Sequence, residues 1–337
     1  MIENKQINNS PYISIIVVGR NDNYGGDFLL RAQAFINVLM TLCERHRLSV
    51  ELIIVEWNPP IDNPRLADAL KWQKNSAYCQ VRIIEVTEEI HRQLPNSDRM
   101  SLFEYAGKNV GIRRARGEFV LATNPDIIFG DELIRFLASR KLSFKRYYRA
   151  TRYDVVSTIP LESTVDELLA YCRKHITRVH GHMGSIDYRM SRRHNIYVTL
   201  RGMLMELLLR PRYFPFKRPF TNASGDFMLM NKSHWHALHG YPQVAGVDRD
   251  GLHHSDAFMV HMALYYGLKQ VRLRGQLRIY HQEHSFALGD KPFTSEVESI
   301  RHQLLSERKP IIYNDDDWGL GTFDLGETLI TKNQKSA

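Results

Sequence analysis

The chain has 337 residues, of which 43% are hydrophobic and 24% charged, the balance of an ordinary globular protein rather than of a disordered or fibrous one. No apolar run reaches the roughly 18 residues that cross a bilayer, and the start, MIENKQINNSPY, lacks the features of a signal peptide, so we expect a cytoplasmic protein. Three widely spaced cysteines without CxxC spacing argue against a disulfide framework or a zinc cluster. The net charge of +8 favours an anionic partner, whether a nucleic acid, a membrane surface or a phosphorylated small molecule.

The first 150 residues alternate predicted strands and helices. Residues 13–18 form a β-branched run typical of a strand buried on both faces, residues 28–42 have helical apolar spacing, and residues 50–57 form a second apolar run. This pattern predicts an α/β fold with a mostly parallel central sheet flanked by helices. Further elements are predicted in the order helix, strand, helix and strand, at about 64–74, 81–86, 102–115 and 117–124.

The rest of the chain is less regular. The pattern predicts an amphipathic helix near 164–175, a strand and a short helix within 225–242, and a helix ending near Gly267 with a strand after it. After about residue 290 we expect an extended and partly mobile tail. The resulting division is a flexible N-terminus, two halves and a C-terminal extension, at 1–11, 12–150, 151–290 and 291–337.

Three polar segments follow predicted strands, at residues 21–27, 56–58 and 124–126. In open α/β sheets, ligands bind outside the carboxyl ends of the strands. We therefore expect these segments to converge on one crevice.

Several motifs follow one another in a distinctive order. ISIIVVGRND is a strand with a polar loop, VELIIVEWNPP is a strand ending in Glu56, and NVGIRRARGEFVLATNPDIIF leads to Asn124-Pro125-Asp126. Downstream lie SGDFMLMNKSHWHALHGYP, then HHSDAFMVHMALYYGLKQV, which contains Asp256, and finally IYHQEHS. Together they resemble the GT-A glycosyltransferases, particularly the family-two-like inverting enzymes, over about residues 12–285. The resemblance implies a Rossmann-like fold with a donor-binding half and an acceptor-binding, catalytic half, and transfer of a sugar from a nucleoside diphosphate, with UDP as the family default.

The donor half would hold the nucleotide. A carboxylate such as Glu56 can accept from a base N–H or a ribose hydroxyl, and Arg20 can pair with a diphosphate. The plain alternatives are a salt bridge at the sheet edge for Glu56 and a solvated loop for Arg20. The donor-binding residues that the resemblance implies are Val18, Gly19, Arg20, Asn21, Glu56, Asn109, Arg113 and Asn124.

Asn124-Pro125-Asp126 stands where the family has its metal-binding DxD, with an amide in place of the first carboxylate. A departing diphosphate gathers negative charge, which a divalent cation stabilises. The resemblance implies Mn²⁺ or Mg²⁺ anchored by Asp126, with one of His281 and His284 as a nitrogen ligand and His281 favoured. A plain turn is the alternative, because Asn, Pro and Asp are favoured turn residues.

Asp256 is the candidate general base. Inversion requires a group that takes the proton of the acceptor hydroxyl, and a carboxylate held at a helix start near the donor fits that task. The alternative is a carboxylate in a helix first turn, favoured by the helix dipole. Asp248 and Asp250 are nearby rivals.

On the acceptor side, the resemblance implies Gly225 and Asp226, and Trp318 is a candidate for stacking on a sugar. The expected partners are a nucleotide-sugar donor and a glycan or lipid-linked acceptor. Residues 201–220 combine apolar, aromatic and basic residues, which suits either a peripheral contact with the inner face of a membrane or an internal helix followed by a basic loop.

Two other functions compete with sugar transfer. A nucleotidyltransferase uses a similar sheet, but the Gly-rich, Arg- or Lys-containing signature loop with which those enzymes hold a triphosphate is not found near the first strand. A catalytically degenerate nucleotide-sugar or glycan-binding protein is supported by Asn124, whereas Asp126, Asp256 and His281 argue against it. Nucleic-acid binding is not expected, because the basic residues are scattered and no recognised nucleic-acid-binding motif is present.

Overall fold

A computed structural model of the chain describes most of its residues. The described residues are 10–73, 76–156, 160, 163–213, 219–243, 255–284 and 295–330. Most of the predicted flexible N-terminus, and the rival carboxylates Asp248 and Asp250, lie outside the described residues.

Helices and strands alternate along the chain. The first part contains β1 Ile13–Gly19, α1 Phe28–His46, β2 Val50–Trp57, α2 Leu66–Ala69, β3 Cys79–Val86, α3 Glu88–Arg92, α4 Glu104–Arg113, β4 Phe119–Ala122, β5 Ile127–Phe129, α5 Asp131–Ala138 and β6 Arg146–Val155. The second part contains α6 Val165–Lys174, β7 Ile176–Gly181, β8 Gly184–Asp187, α7 Arg192–Tyr213, a short 3-10 helix Ser224–Asp226, β9 Met228–Asn231, α8 Lys232–Ala237, α9 Ser255–Tyr265, β10 Lys269–Gln282, α10 Ser295–Glu307 and β11 Glu327–Ile330.

The strands form one mixed sheet in the order β11-β3-β2-β1-β4-β9-β6-β10-β5, and β7 and β8 extend from β6. β1 pairs in parallel with β2 and β4, and β2 in parallel with β3. β9, β5, β7 and β11 run antiparallel to their neighbours. The α/β class with a helix-flanked sheet is confirmed, but the sheet is mixed rather than mostly parallel. Parallel pairing joins β1 to β4 with one another and β6 with β10. Hydrophobic periodicity shows that a segment is a strand and leaves the direction of its pairing open.

Alternate residues of β1 supply the cores on the two faces of the sheet. Ile15 and Val17 belong to the core that includes α1, α5 and α6, whereas Ile16 and Val18 belong to the core that includes α4, α8 and α9. Burial on both faces is the reason why the strand is continuously apolar. The sequence-predicted helices at 28–42, 102–115 and 164–175 are confirmed as α1, α4 and α6.

Two glycines let α4 lie directly on the sheet. A Cβ atom at Gly107 would come within 2.7 Å of Val18 Cγ1, and one at Gly111 would come closer still to Ile16 Cγ2. Because these glycines are four residues apart, they share one face of the helix. The close packing carries the first turn of α4, with Glu104 and Tyr105, to the end of β1.

The sequence predicted an extended tail after about residue 290, but the described part of the C-terminal extension contains a helix and a strand. Residues 295–307 form the helix α10, in which Leu304 is fully buried, and β11 pairs antiparallel with β3. Arg82 on β3 ties β11 to the sheet, since its guanidinium binds Glu327 at 2.7 Å. These tertiary contacts order a segment that has little pattern of its own.

The sequence-predicted boundary at residue 150 falls inside β6, and strands from both halves share the sheet. Among the described residues, no helix is long and apolar enough to span a membrane.

Candidate metal and nucleotide site

A cleft of about 580 Å³ opens at the carboxyl ends of β1 and β4. The end of β1 and its loop supply Val18, Gly19, Arg20 and Asp22, and the turn after β4 supplies residues 124–126. Such a cleft lies within the size range of small-molecule sites, at the edge where α/β sheets bind ligands. Two of the three polar segments predicted to converge therefore do meet in this cleft.

Asp126, His281 and His284 form a cluster on one wall of the cleft. The Nε2 atom of His284 lies 3.0 Å from Oδ2 of Asp126, and Nε2 of His281 lies 3.6 Å from the same oxygen. The cluster depends on strand pairing, because β10 runs antiparallel to β5 and sets His281 opposite Ile127, the residue after Asp126. One ligand atom from each of the three residues lies within 4.8 Å of the others, so both histidines reach the carboxylate.

The charges in this cluster depend on one another. Burial by itself would raise the pKa of Asp126, but the two histidines hold it well below its usual range. Burial would likewise lower the pKa of His281, but the negative charge of Asp126 and a second carboxylate, Asp154, raise it to about 9. The arrangement thus favours a deprotonated Asp126 beside positive charge.

Asp154 connects His281 to a second layer of side chains. Its Oδ1 lies 3.4 Å from Nδ1 of His281 and 2.5 Å from Nε of Arg152, and its Oδ2 lies 2.9 Å from Nε2 of His180. A carboxylate on the far nitrogen of a metal-ligating histidine fixes the orientation and tautomer of the ring. Asp154 is placed to do this for His281.

The three side chains fit a divalent cation. Oδ1 of Asp126 is buried, and it has no hydrogen-bond partner among the described residues. One carboxylate oxygen and two imidazole nitrogens suit Mn²⁺ better than Mg²⁺, which prefers oxygen ligands and bound water. The orphaned oxygen and the donor set make Asp126, His281 and His284 a candidate site for such a cation.

The amide of Asn124 has a structural role of its own. Its Nδ2 donates to Oδ1 of Asp226 at 2.9 Å, and Arg152 binds the other oxygen of Asp226 at 2.8 Å. A carboxylate at position 124 would repel Asp226, whereas the amide supplies a donor. Asn124, which replaces the first carboxylate of the DxD pattern, therefore suits the buried carboxylate of Asp226 beside it.

Asp256 lies in the same cleft, in the first turn of α9. Its Oδ1 accepts from the backbone N–H of Ala257 at 2.7 Å, and a Cβ atom at Gly225 would stand 3.5 Å from Oδ2 and 3.2 Å from the hydroxyl of Tyr105. Burial, together with the charge of Asp256, raises the pKa of Tyr105 well above its usual value. The glycine at position 225 therefore avoids crowding the Asp256 carboxylate and the protonated Tyr105 hydroxyl next to it.

Four arginines also line the cleft, and they differ in the hydrogen bonds and ion pairs that they already form within the protein. Arg20 binds Asp22 at 2.7 Å, Arg31 donates to the carbonyls of Tyr24 and Gly26, and Arg152 bridges Asp154 and Asp226. Arg99 has 64% of its side chain exposed and lies 3.7 Å from Asp98, which is 78% exposed. Of the four, Arg99 has the side chain best placed to turn toward an anionic ligand.

Several sequence-predicted site residues lie elsewhere. Glu56 is buried and accepts from the backbone N–H of Leu66 at 2.9 Å, and Asn21 donates to the carbonyl of Pro64. Asn109 is fully buried and binds both backbone groups of Tyr241. The structure gives these side chains roles in holding loops and does not bring them to the cleft.

Arg113 and Trp318 likewise stabilise the C-terminal segment. Arg113 donates to the carbonyls of Asp316 and Trp318, and its guanidinium lies 5.3 Å from the Trp318 ring. Trp318 is 6% exposed, stacks with His239 and does not line the cleft, so its stacking on a sugar stays a prediction. The acidic sequence around Trp318 did not indicate that this side chain is buried.

Six further residues at or next to the site were not predicted from the sequence. These are Arg31, Arg99, Tyr105, Asp154, Arg152 and His180. The alternating charges of Arg152 and Asp154 on a strand could have suggested a buried ion pair, but nothing local connected them to His281.

The sequence was also compared with known proteins. No protein-family model matches it, and no curated protein matches it significantly.

Proposed function

We propose that the protein transfers a sugar from a nucleoside diphosphate donor to an acceptor hydroxyl with inversion, as a metal-assisted glycosyltransferase of the GT-A type. The observation that carries the proposal is the shared cleft, in which the Asp126, His281 and His284 cluster and the Asp256 carboxylate meet at the carboxyl ends of parallel strands. The parallel order β3-β2-β1-β4 supports the finer assignment of the fold.

The cleft contains the groups that such a reaction needs. A cation held by Asp126, His281 and His284 would neutralise charge on the leaving diphosphate. The arginines on the β1 side of the cleft add positive charge, and Arg99 can form charge-assisted hydrogen bonds with phosphate oxygens.

Asp256 would act on the acceptor. As the acceptor oxygen bonds to the anomeric carbon, the bond from that carbon to the diphosphate breaks and the diphosphate leaves with the electron pair. The proton of the acceptor hydroxyl passes to Asp256, whose Oδ1 is oriented by the N–H of Ala257. That hydroxyl would approach through the cleft that Asp256 lines together with Tyr105 and Gly225.

The donor site is tested by calorimetric titration of UDP, GDP and CMP, each with and without Mn²⁺. We expect metal-dependent binding of UDP or GDP, weakened at least about tenfold in Asp126→Asn, whereas binding of the monophosphate CMP alone would contradict a diphosphate donor. Asp131→Asn is the control, because Asp131 binds Arg45 and His46 on α1 rather than the cleft. Failure of all three nucleotides to bind would refute the proposed donor.

The catalytic step is tested with Asp256→Asn. This variant should keep its affinity for the nucleotide and lose transfer by roughly a hundred- to ten-thousandfold. Binding without turnover in the unaltered protein would favour a degenerate binding protein, and release of pyrophosphate from a nucleoside triphosphate would favour a nucleotidyltransferase.

A further inference from the structure

The helix α7 exposes an apolar face. Its exposed large side chains are spaced by one, three or four residues, which places them on one side of a helix. They are 49–72% exposed, and they are Ile196, Tyr197, Leu200, Met203, Leu204, Leu207 and Leu208. Contiguous apolar patches of this kind mark an interaction surface. We call these seven residues the α7 face.

The opposite side of α7 is fixed to the β7–β8 hairpin. Asn195 exchanges two hydrogen bonds with the backbone of Asp187, and Glu206 lies 3.3 Å from His182. Gly202 has no room for a Cβ atom against the backbone of Met183. The helix is therefore anchored by its inner side, and the α7 face points outward.

The charges around the α7 face are positive. Arg192, Arg193 and Arg201 are exposed on α7. Arg189, just before the helix, is paired with Asp187 and Glu283. The only acidic residue of α7 is Glu206, which is paired with His182 on the inner side. An apolar face edged by arginines is typical of helices that lie in the interface of an anionic bilayer.

An apolar groove of about 490 Å³ adjoins the α7 face. Ile186, Tyr188 and Met190 line one side, and Ile196 and Leu200 line the other. Tyr188 and Met190 are themselves 62% and 53% exposed. The groove extends the apolar surface from the helix onto the hairpin.

We infer that the α7 face binds the surface of an anionic lipid bilayer, with the apolar side chains in the interface and the arginines at the headgroups. A second copy of the chain fits less well, because pairing two α7 faces would bring arginines of like charge together. The hairpin beneath α7 also reaches the candidate site, since His180 on β7 binds Asp154. Membrane docking would therefore hold the cleft beside the bilayer, and it does not depend on the proposed function.

The test is flotation of the full chain with vesicles of phosphatidylcholine alone or mixed with phosphatidylglycerol. We expect binding to the mixed vesicles that weakens with salt. The double variant Leu204→Ser/Leu207→Ser should lower the partition coefficient about tenfold. Arg193→Gln and Arg201→Gln should each lower it roughly fivefold on anionic vesicles.

Ile61→Ser is the matched control, because Ile61 is 92% exposed on the loop between β2 and α2 and its loss should leave vesicle binding unchanged. The replaced leucines are more than half exposed, so circular dichroism should show intact folding. Absence of binding to anionic vesicles would overturn the inference. So would a dimer in light scattering that Leu204→Ser/Leu207→Ser dissociates, since the face would then bind a second copy.

Discussion

Replacing Glu56 by glutamine tests whether this side chain serves the fold or the donor. Glu56 is 1% exposed, and its Oε1 accepts from the backbone N–H of Leu66. Burial raises its pKa from 4.5 to about 7, although the Leu66 hydrogen bond opposes the rise. Glutamine keeps an acceptor for Leu66 and removes the ionisation.

The effect on stability depends on pH in a defined direction. Between pH 4.5 and about 7 the folded chain keeps a proton on Glu56 that the unfolded chain releases. The unfolding free energy therefore falls as pH rises through this window. Once Glu56 is ionised in both the folded and the unfolded chain, the total loss that corresponds to the pKa difference is about 3 kcal/mol. Glu56→Gln should match the unaltered protein near pH 4.5 and exceed it by up to about 3 kcal/mol near pH 8.

Urea denaturation of the unaltered protein and of Glu56→Gln between pH 4.5 and about 8 measures the difference in their unfolding free energies. The contributions of all other titratable groups are common to both proteins and cancel in this difference. Glu88→Gln is the control, since Glu88 is 59% exposed in an ion pair with Arg92 on α3 and is not among the groups that shift the pKa of Glu56, and its loss should cost less than about 1 kcal/mol. A difference between Glu56→Gln and the unaltered protein that does not vary with pH would refute the reasoning. Weaker nucleotide binding by Glu56→Gln would instead restore the sequence-based donor role.

Three further predictions concern the cation, the core and the C-terminal segment. His284→Ala should weaken Mn²⁺ binding at least about tenfold by calorimetry, and an unchanged affinity would remove His284 from the site. Gly111→Ala should lower the unfolding free energy by about 1–3 kcal/mol in urea, because the added Cβ meets Ile16, whereas a gain in stability would show that α4 can shift. Trp318→Ala should cost about 3 kcal/mol without changing KM for the acceptor, and a raised KM at unchanged stability would return Trp318 to the acceptor site.

The sequence alone determined the βαβ start of the fold. The continuous apolar runs of β1 and β2 and the periodicity of α1 are local signals, so these elements could be predicted closely. Local signals show that Asp126 follows a strand and that Asp256 lies at a helix start, and the resemblance to the GT-A glycosyltransferases is what assigned both to one site. A carboxylate next to a strand end or a helix start can be identified from the sequence without knowing its neighbours in space.

Only the tertiary structure decided which distant groups join Asp126 and which do not. The antiparallel pairing of β10 with β5 brings His281 to Asp126, and the pairing of β7 with β6 brings His180 to Asp154. Glu56 follows the pattern of a donor-binding residue, yet packing of the β2–α2 loop buries it. Which strands pair, and which polar side chains that pairing brings together or buries, depends on contacts between segments far apart in sequence. A local pattern shows only that each segment is a strand.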